Sequence, residues 1–153
     1  MDTGTCTDPN VMVILGQPCG MPRPRFGGGK GFKGTYYPKK YRMWRKGAYT
    51  QLAPWGHLFY DRPVIATVVA VFKAPKNKPK DPVHRAVWSR TQEYYYPCIP
   101  DLDNVVKAAL DAIVHVGILA DDRLVAHLIA EKRAAAEDVV QPQLRIRLRY
   151  LDD

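Results

Sequence analysis

Residues 101–132 run DLDNVVKAALDAIVHVGILADDRLVAHLIAEK. Leu102, Val106, Leu110 and Ile113 recur at helical spacing and make one apolar stripe. Asp103, Lys107 and Asp111 step by four along a neighbouring face. Gly117 is the kind of residue on which a helix ends. After Asp121-Asp122 the period changes. Leu124, Ala126, Leu128 and Ala130 alternate through Arg123–Lys132, which predicts a strand with one apolar side.

On the C-terminal side, Leu144, Ile146, Leu148 and Tyr150 alternate strictly with Arg145, Arg147 and Arg149. This is a last strand whose arginines form either the wet face of an edge strand or a ladder that meets phosphates or acids. On the N-terminal side, Pro63 precedes Val64–Phe72, a continuous apolar and β-branched run that predicts a strand buried on both faces. Val11–Leu15 predicts a short strand, and residues 39–53 a short basic helix entered after Pro38. Between them lies a basic loop rich in proline and glycine, in which neither a helix nor a central strand is tolerated. Its glycines lack the order of a phosphate-binding P-loop. Residues 73–100, with five prolines, predict a second long loop, which carries His84, Arg85 and Tyr94-Tyr95-Tyr96. The expected fold is α+β: a small mixed sheet with two or so helices packed on it. A single domain spans 11–153 behind a frayed start at 1–10.

At 153 residues, 46% apolar and 25% charged, the chain can build one ordinary core. The charge of +8 is unevenly spread. Residues 1–60 carry 9 Lys and Arg against 2 acids, residues 61–100 carry 7 against 3, and residues 101–153 carry 7 against 10. No acid lies between Asp8 and Asp61. Arg23, Arg25, Lys30, Lys33, Lys39, Lys40, Arg42, Arg45 and Lys46 suit a polyanion such as DNA, where each phosphate contact gains from counterion release. Tyr36, Tyr37, Tyr41 and Trp44 lie among them, either stacking on splayed bases or packing in the core. No apolar run approaches the roughly 20 residues of a membrane helix, and no secretory signal is visible. Cys6, Cys19 and Cys98 are scattered, as are the four histidines, so a zinc site is not expected. The cysteines are expected to be reduced thiols of a cytoplasmic protein. His127, between Val125 and Ile129, is expected to pack within its strand.

The acidic third carries the chemistry. Asp101 and Asp103 flank the helix start, and Asp122 follows Asp103 by 19 residues. If the helix packs back on the sheet so that the next strand's start returns to the helix start, three carboxylates converge. Such a cluster requires a cation, and oxygen-only ligands select Mg²⁺ or Mn²⁺. Lys107, one turn from Asp103, would reach the same place. A hard cation with a lysine suits phosphodiester hydrolysis. Ordinary roles compete: Asp101 as a helix cap, Asp103–Lys107 as an i,i+4 ion pair, Asp121-Asp122 as a turn.

Pro100 through Ala112, then Gly117-Ile118-Leu119-Ala120-Asp121-Asp122 and Val125, resemble the RusA family of Holliday-junction resolvases. Glu131-Lys132 matches the family's strand ending, and Pro22–Phe26 with Tyr37-Pro38-Lys39 more loosely matches its basic loop. The resemblance implies a homodimeric, Mg²⁺-dependent endonuclease, often of phage or prophage origin, that cuts four-way DNA junctions symmetrically. It implies Asp101, Asp103 and Asp122 as metal-binding carboxylates and Lys107 as the catalytic lysine. Asn104 and Asp111 also match the motif. We read Asn104 as support for Asp103 or a cap, and Asp111 as structural or electrostatic. Two alternatives remain: a Mg²⁺ nuclease acting on other branched DNA, and a non-catalytic nucleic-acid-binding protein whose acids serve only as helix caps and salt-bridge partners.

Overall fold

The computed structural model describes residues 8–27, 30–31, 34–73, 80–83, 93–95, 99–135 and 141–153. Residues 1–7, with Cys6, and Lys33, His84, Arg85, Tyr96 and Cys98 lie outside them. In chain order the elements are strands β1 (Val11–Leu15), β2 (Arg25–Phe26) and β3 (Thr35–Tyr36), helix α1 (Lys39–Leu52), strands β4 (Val64–Phe72) and β5 (Glu93–Tyr95), helix α2 (Leu102–His115), and strands β6 (Val125–Ala135) and β7 (Gln143–Tyr150). The expected α+β succession holds. The β2–β3 hairpin inside the basic loop, and β5, are additions to it.

The main sheet has the order β1-β7-β4-β6-β5. β4 is parallel to β6 and antiparallel to β7, so the sheet is mixed. A parallel pair needs a crossover, and α2 lies within the one that joins β4 to β6. Val64, Ala66, Val68 and Ala70 are fully buried, in one core with Met12 and Ile14 of β1, Leu144, Ile146 and Leu148 of β7, and the inner faces of both helices. Complete burial of side chains such as Ile113 and Ile146 stabilises by about 1.5–3 kcal/mol each.

Two expectations change here. β4 is not buried on both faces: Ile65, Thr67 and Val69 are half-exposed, because both helices cover the same side of the sheet. β7 is not an edge strand, since it lies between β1 and β4. Its arginines stand on the open face of an interior strand, where Arg147 pairs with Asp8 at 3.2 Å.

The end of α2 follows the sequence closely. Gly117 adopts φ +80, Gly117 N–H donates to the Val114 carbonyl, and Ile118 N–H donates to Ile113. This is the paired closure that a left-handed glycine allows. It turns the chain after one helix length, and β6 begins beside the helix end.

Candidate active site

The start of α2 is anchored from two sides. Lys132 Nζ donates to the Pro100 carbonyl at 2.8 Å, and Met21 N–H donates to the Asn104 carbonyl at 2.9 Å. Gly20 sits so close that a Cβ there would stand 2.8 Å from Pro100 Cβ and 3.3 Å from Asn104 Cβ. Only glycine lets the basic segment lie against the helix start. The Ile99–Pro100 peptide is cis.

Asp101 holds the N-cap position with extended backbone, yet its side chain makes no capping hydrogen bond. Asp103 is exposed in the first turn, where the helix dipole favours negative charge. Lys107 is exposed one turn on, and among the described residues no ion pair joins it to Asp103. The two ordinary roles, cap and ion pair, are therefore not what these side chains perform. Asn104 is half-buried at the anchored turn, and Asp111 is exposed further along α2. Asp111 raises the pKa of Tyr41 and Tyr49 on α1, an effect second to burial at both.

Asp121 and Asp122 divide their duties. The Asp121 carboxylate accepts from Arg123 N–H and pairs with the Arg123 guanidinium at 2.9 Å. Those hydrogen bonds pull its pKa down to about 2. Asp121 is thus the turn residue, and Asp122 is exposed beside it.

The expected convergence of Asp122 with Asp101 and Asp103 does not occur within one chain. Among the described residues no group of three or more His, Cys, Asp or Glu stands close enough to hold a metal ion. The reason is topological. β6 starts at the end of α2 and runs back antiparallel to it, so Lys132, not Asp122, returns to Pro100. Val125 faces Val64 and Lys132 faces Ala70 along β4, a separation of about 23 Å at 3.3 Å per residue. What the helix start does offer is two uncapped carboxylates with open space around them. That set fits Mg²⁺, which is commonly held by one or two carboxylates, with water and substrate phosphate completing the shell.

The basic surface borders this place. Arg23, Arg25, Lys30, Lys39, Lys40 and Arg42 are all exposed, and they lie on the loop, the β2–β3 hairpin and α1. Sequence reading missed Phe26, which is 86% exposed on β2. It also missed Lys132 and Gly20 as anchors of the helix start. A distant lysine and glycine carry no local signal for that role.

Several aromatic expectations resolve. Trp44 packs against the core. Tyr41 is 2% exposed and stacks on Trp44, so it presents no free face to a base. Its hydroxyl is buried without a hydrogen-bond partner among the described residues. Burial is also the main cause that pushes its pKa far up, so it stays protonated. His127 is exposed rather than packed. An unpartnered buried hydroxyl carries a desolvation cost. We therefore expect Tyr41→Phe to raise stability by about 1 kcal/mol, visible as a higher Tm in thermal unfolding. A fall of that size would show that the hydroxyl is satisfied in solution.

No helix of the chain is long and apolar enough to cross a membrane among the described residues. A family model described as endodeoxyribonuclease RusA matches residues 16–149. A search of curated proteins found no match.

Proposed function

The chain belongs to the RusA endodeoxyribonuclease family, and from that premise we propose that it is a Mg²⁺-dependent endonuclease that resolves four-way DNA junctions by paired, symmetric phosphodiester hydrolysis. The observation that carries the proposal is the start of α2, where Asp101 and Asp103 stand exposed and spared from capping beside a basic surface. Asp101 and Asp103 hold the cation. Bound Mg²⁺ supplies Lewis-acid stabilisation of the scissile phosphate and a more acidic water. Lys107 brings its ammonium to the charge that develops on the phosphate. The basic loop, hairpin and α1 grip the flanking backbone, and Phe26 on the hairpin stacks on or wedges between bases. Water adds to phosphorus and the bond to the 3′ oxygen breaks, leaving a 5′-phosphate and a 3′-hydroxyl.

A junction needs two cuts related by two-fold symmetry, and a homodimer supplies them. We place the second copy along β6. From Val125 to Glu131 this strand has no neighbour on the β5 side among the described residues. Leu128 and Ile129 there are 48% and 51% exposed. An open edge with exposed apolar residues is a template for strand pairing. Antiparallel pairing of two β6 edges sets the Asp122 end of each against the Lys132 end of its partner. Asp122 then approaches the partner's Asp101 and Asp103, and the carboxylates separated within one chain meet between two. Ile129→Lys is expected to give a folded monomer in sedimentation that no longer nicks DNA. A dimeric, active variant would place the interface elsewhere.

The deciding test of the function incubates the purified protein with a synthetic four-way junction and Mg²⁺, beside flap and linear duplex. Paired nicks on opposite strands of the junction support the proposal. Cutting of the flap in preference to both the junction and the linear duplex favours a nuclease acting on other branched DNA. Salt-sensitive binding without metal-dependent cutting supports the non-catalytic alternative.

A further inference from the structure

Between the Gln17–Pro22 segment and the start of α2 lies a pocket of about 410 Å³. That is within the roughly 300–1,000 Å³ typical of small-ligand sites. Its walls are flat and apolar: Pro18, Pro22, Pro38, Phe72 and Pro100. The polar groups at it are few and of different kinds. Lys40 brings an ammonium. Gln17 accepts from Lys73 N–H through Oε1 at 2.8 Å, which leaves its NH₂ to donate. Tyr41 also lines the pocket, and its buried hydroxyl has no partner among the described residues.

This combination selects for a class of ligand. Apolar walls with a single cation are poor for a phosphate. A flat ring with a hydrogen-bonding rim suits both the walls and the scattered polar groups. Pro100 ties the pocket to the proposed chemistry, because Asp101 is the next residue. A ring held here sits beside a phosphate held over Asp101 and Asp103.

We propose that this pocket receives one unstacked nucleobase of the DNA strand next to the bond that is cut, and that it sets the base preference of cleavage. The proposal rests on the nuclease function above. Extruding a base is least costly where pairing is already interrupted, as at a branch point. Tyr41 is part of the wall, and its hydroxyl is enclosed by the protein, so the base edge is read by the other polar groups. Lys40 and the Gln17 amide read the same rim.

The test has two parts. Junctions carrying each of the four bases, or an abasic site, at the positions flanking the cut are incubated with the protein and Mg²⁺. The wild type is expected to prefer one base by about ten-fold or more and to cut the abasic substrate poorly. In Gln17→Met and Lys40→Met the rates on the four bases converge. Separately, 2-aminopurine at the flanking position is expected to brighten when the metal-free protein binds. Ile99→Trp, which crowds the mouth of the pocket, is expected to abolish that rise. Cutting whose base preference is unchanged in both variants overturns the pocket and leaves the nuclease intact. No cutting by the wild type defeats the nuclease function instead. In that case the 2-aminopurine signal still decides whether a base enters the pocket.

Discussion

Asp103→Asn is expected to lower Mg²⁺-dependent nicking of a four-way junction by about 10²–10³-fold or more, the scale of losing one group that acts on the transition state. The substitution keeps shape and removes one of the two negative charges that the start of α2 brings to the site. Asp103 is exposed and makes no ion pair with Lys107 among the described residues, so the fold is expected to be unaffected. Junction binding should persist or tighten, because a negative charge that faces phosphate has gone. The comparison that makes the result specific is Asp121→Asn. That carboxylate is engaged by Arg123 at 2.9 Å, and its loss should disturb the turn before β6 far more than the cutting. Full activity in Asp103→Asn, measured by single-turnover cleavage, would sink the assignment of α2's start as the active site.

The second large effect is restoration. Asp103→Asn and Asp122→Asn are each expected to be inactive alone. In a mixture of the two, unfolded together and refolded, half of the dimers at random assortment pair one of each. If Asp122 serves the partner's Asp101 and Asp103, each mixed dimer holds one complete site and one doubly damaged site. Single-strand nicking of the junction should then reappear, without the paired second cut. If each site were built within one chain, mixing would restore nothing. The restored cuts would be solitary, and Ile129→Lys in both chains should abolish them by removing the dimer. The physical basis is the run of β6 away from the end of α2. This leaves the start of β6 at Val125, three residues after Asp122, about 23 Å from the Lys132 end that touches Pro100.

These expectations also separate the enzyme from the non-catalytic alternative. A binding protein needs its acids as caps and ion-pair partners. Asp121 is such a residue, but Asp101 occupies a cap position without capping. The arrangement leaves the carboxylates available where a purely structural role would have used them.

Much of this is legible in the sequence itself. The 3.6-residue stripe from Leu102 to Ile113 with Gly117 beyond it, the run from Val64 to Phe72, and the strict alternation from Leu144 to Tyr150 are local patterns. Periodicity and glycine chemistry act over a few residues, so the elements follow from the chain alone. The acids that matter were legible by type and spacing, and the basic first 100 residues by composition.

Tertiary structure decided what depends on distance through space. It showed that both helices cover one face, so β4 is half-exposed on the other. It put β7 inside the sheet, where its arginines are not an edge. It took Tyr41 out of the exposed aromatics and buried its hydroxyl at a pocket. It also sent Asp122 to the far end of α2. The physical reason is the same each time. Sequence spacing fixes which residues share a face of one helix or strand, but the direction in which elements pack fixes which ends meet. A nine-residue link after α2, residues 116–124, makes β6 begin where the helix stops, and no pattern of side chains along the chain reveals which neighbour then completes the site.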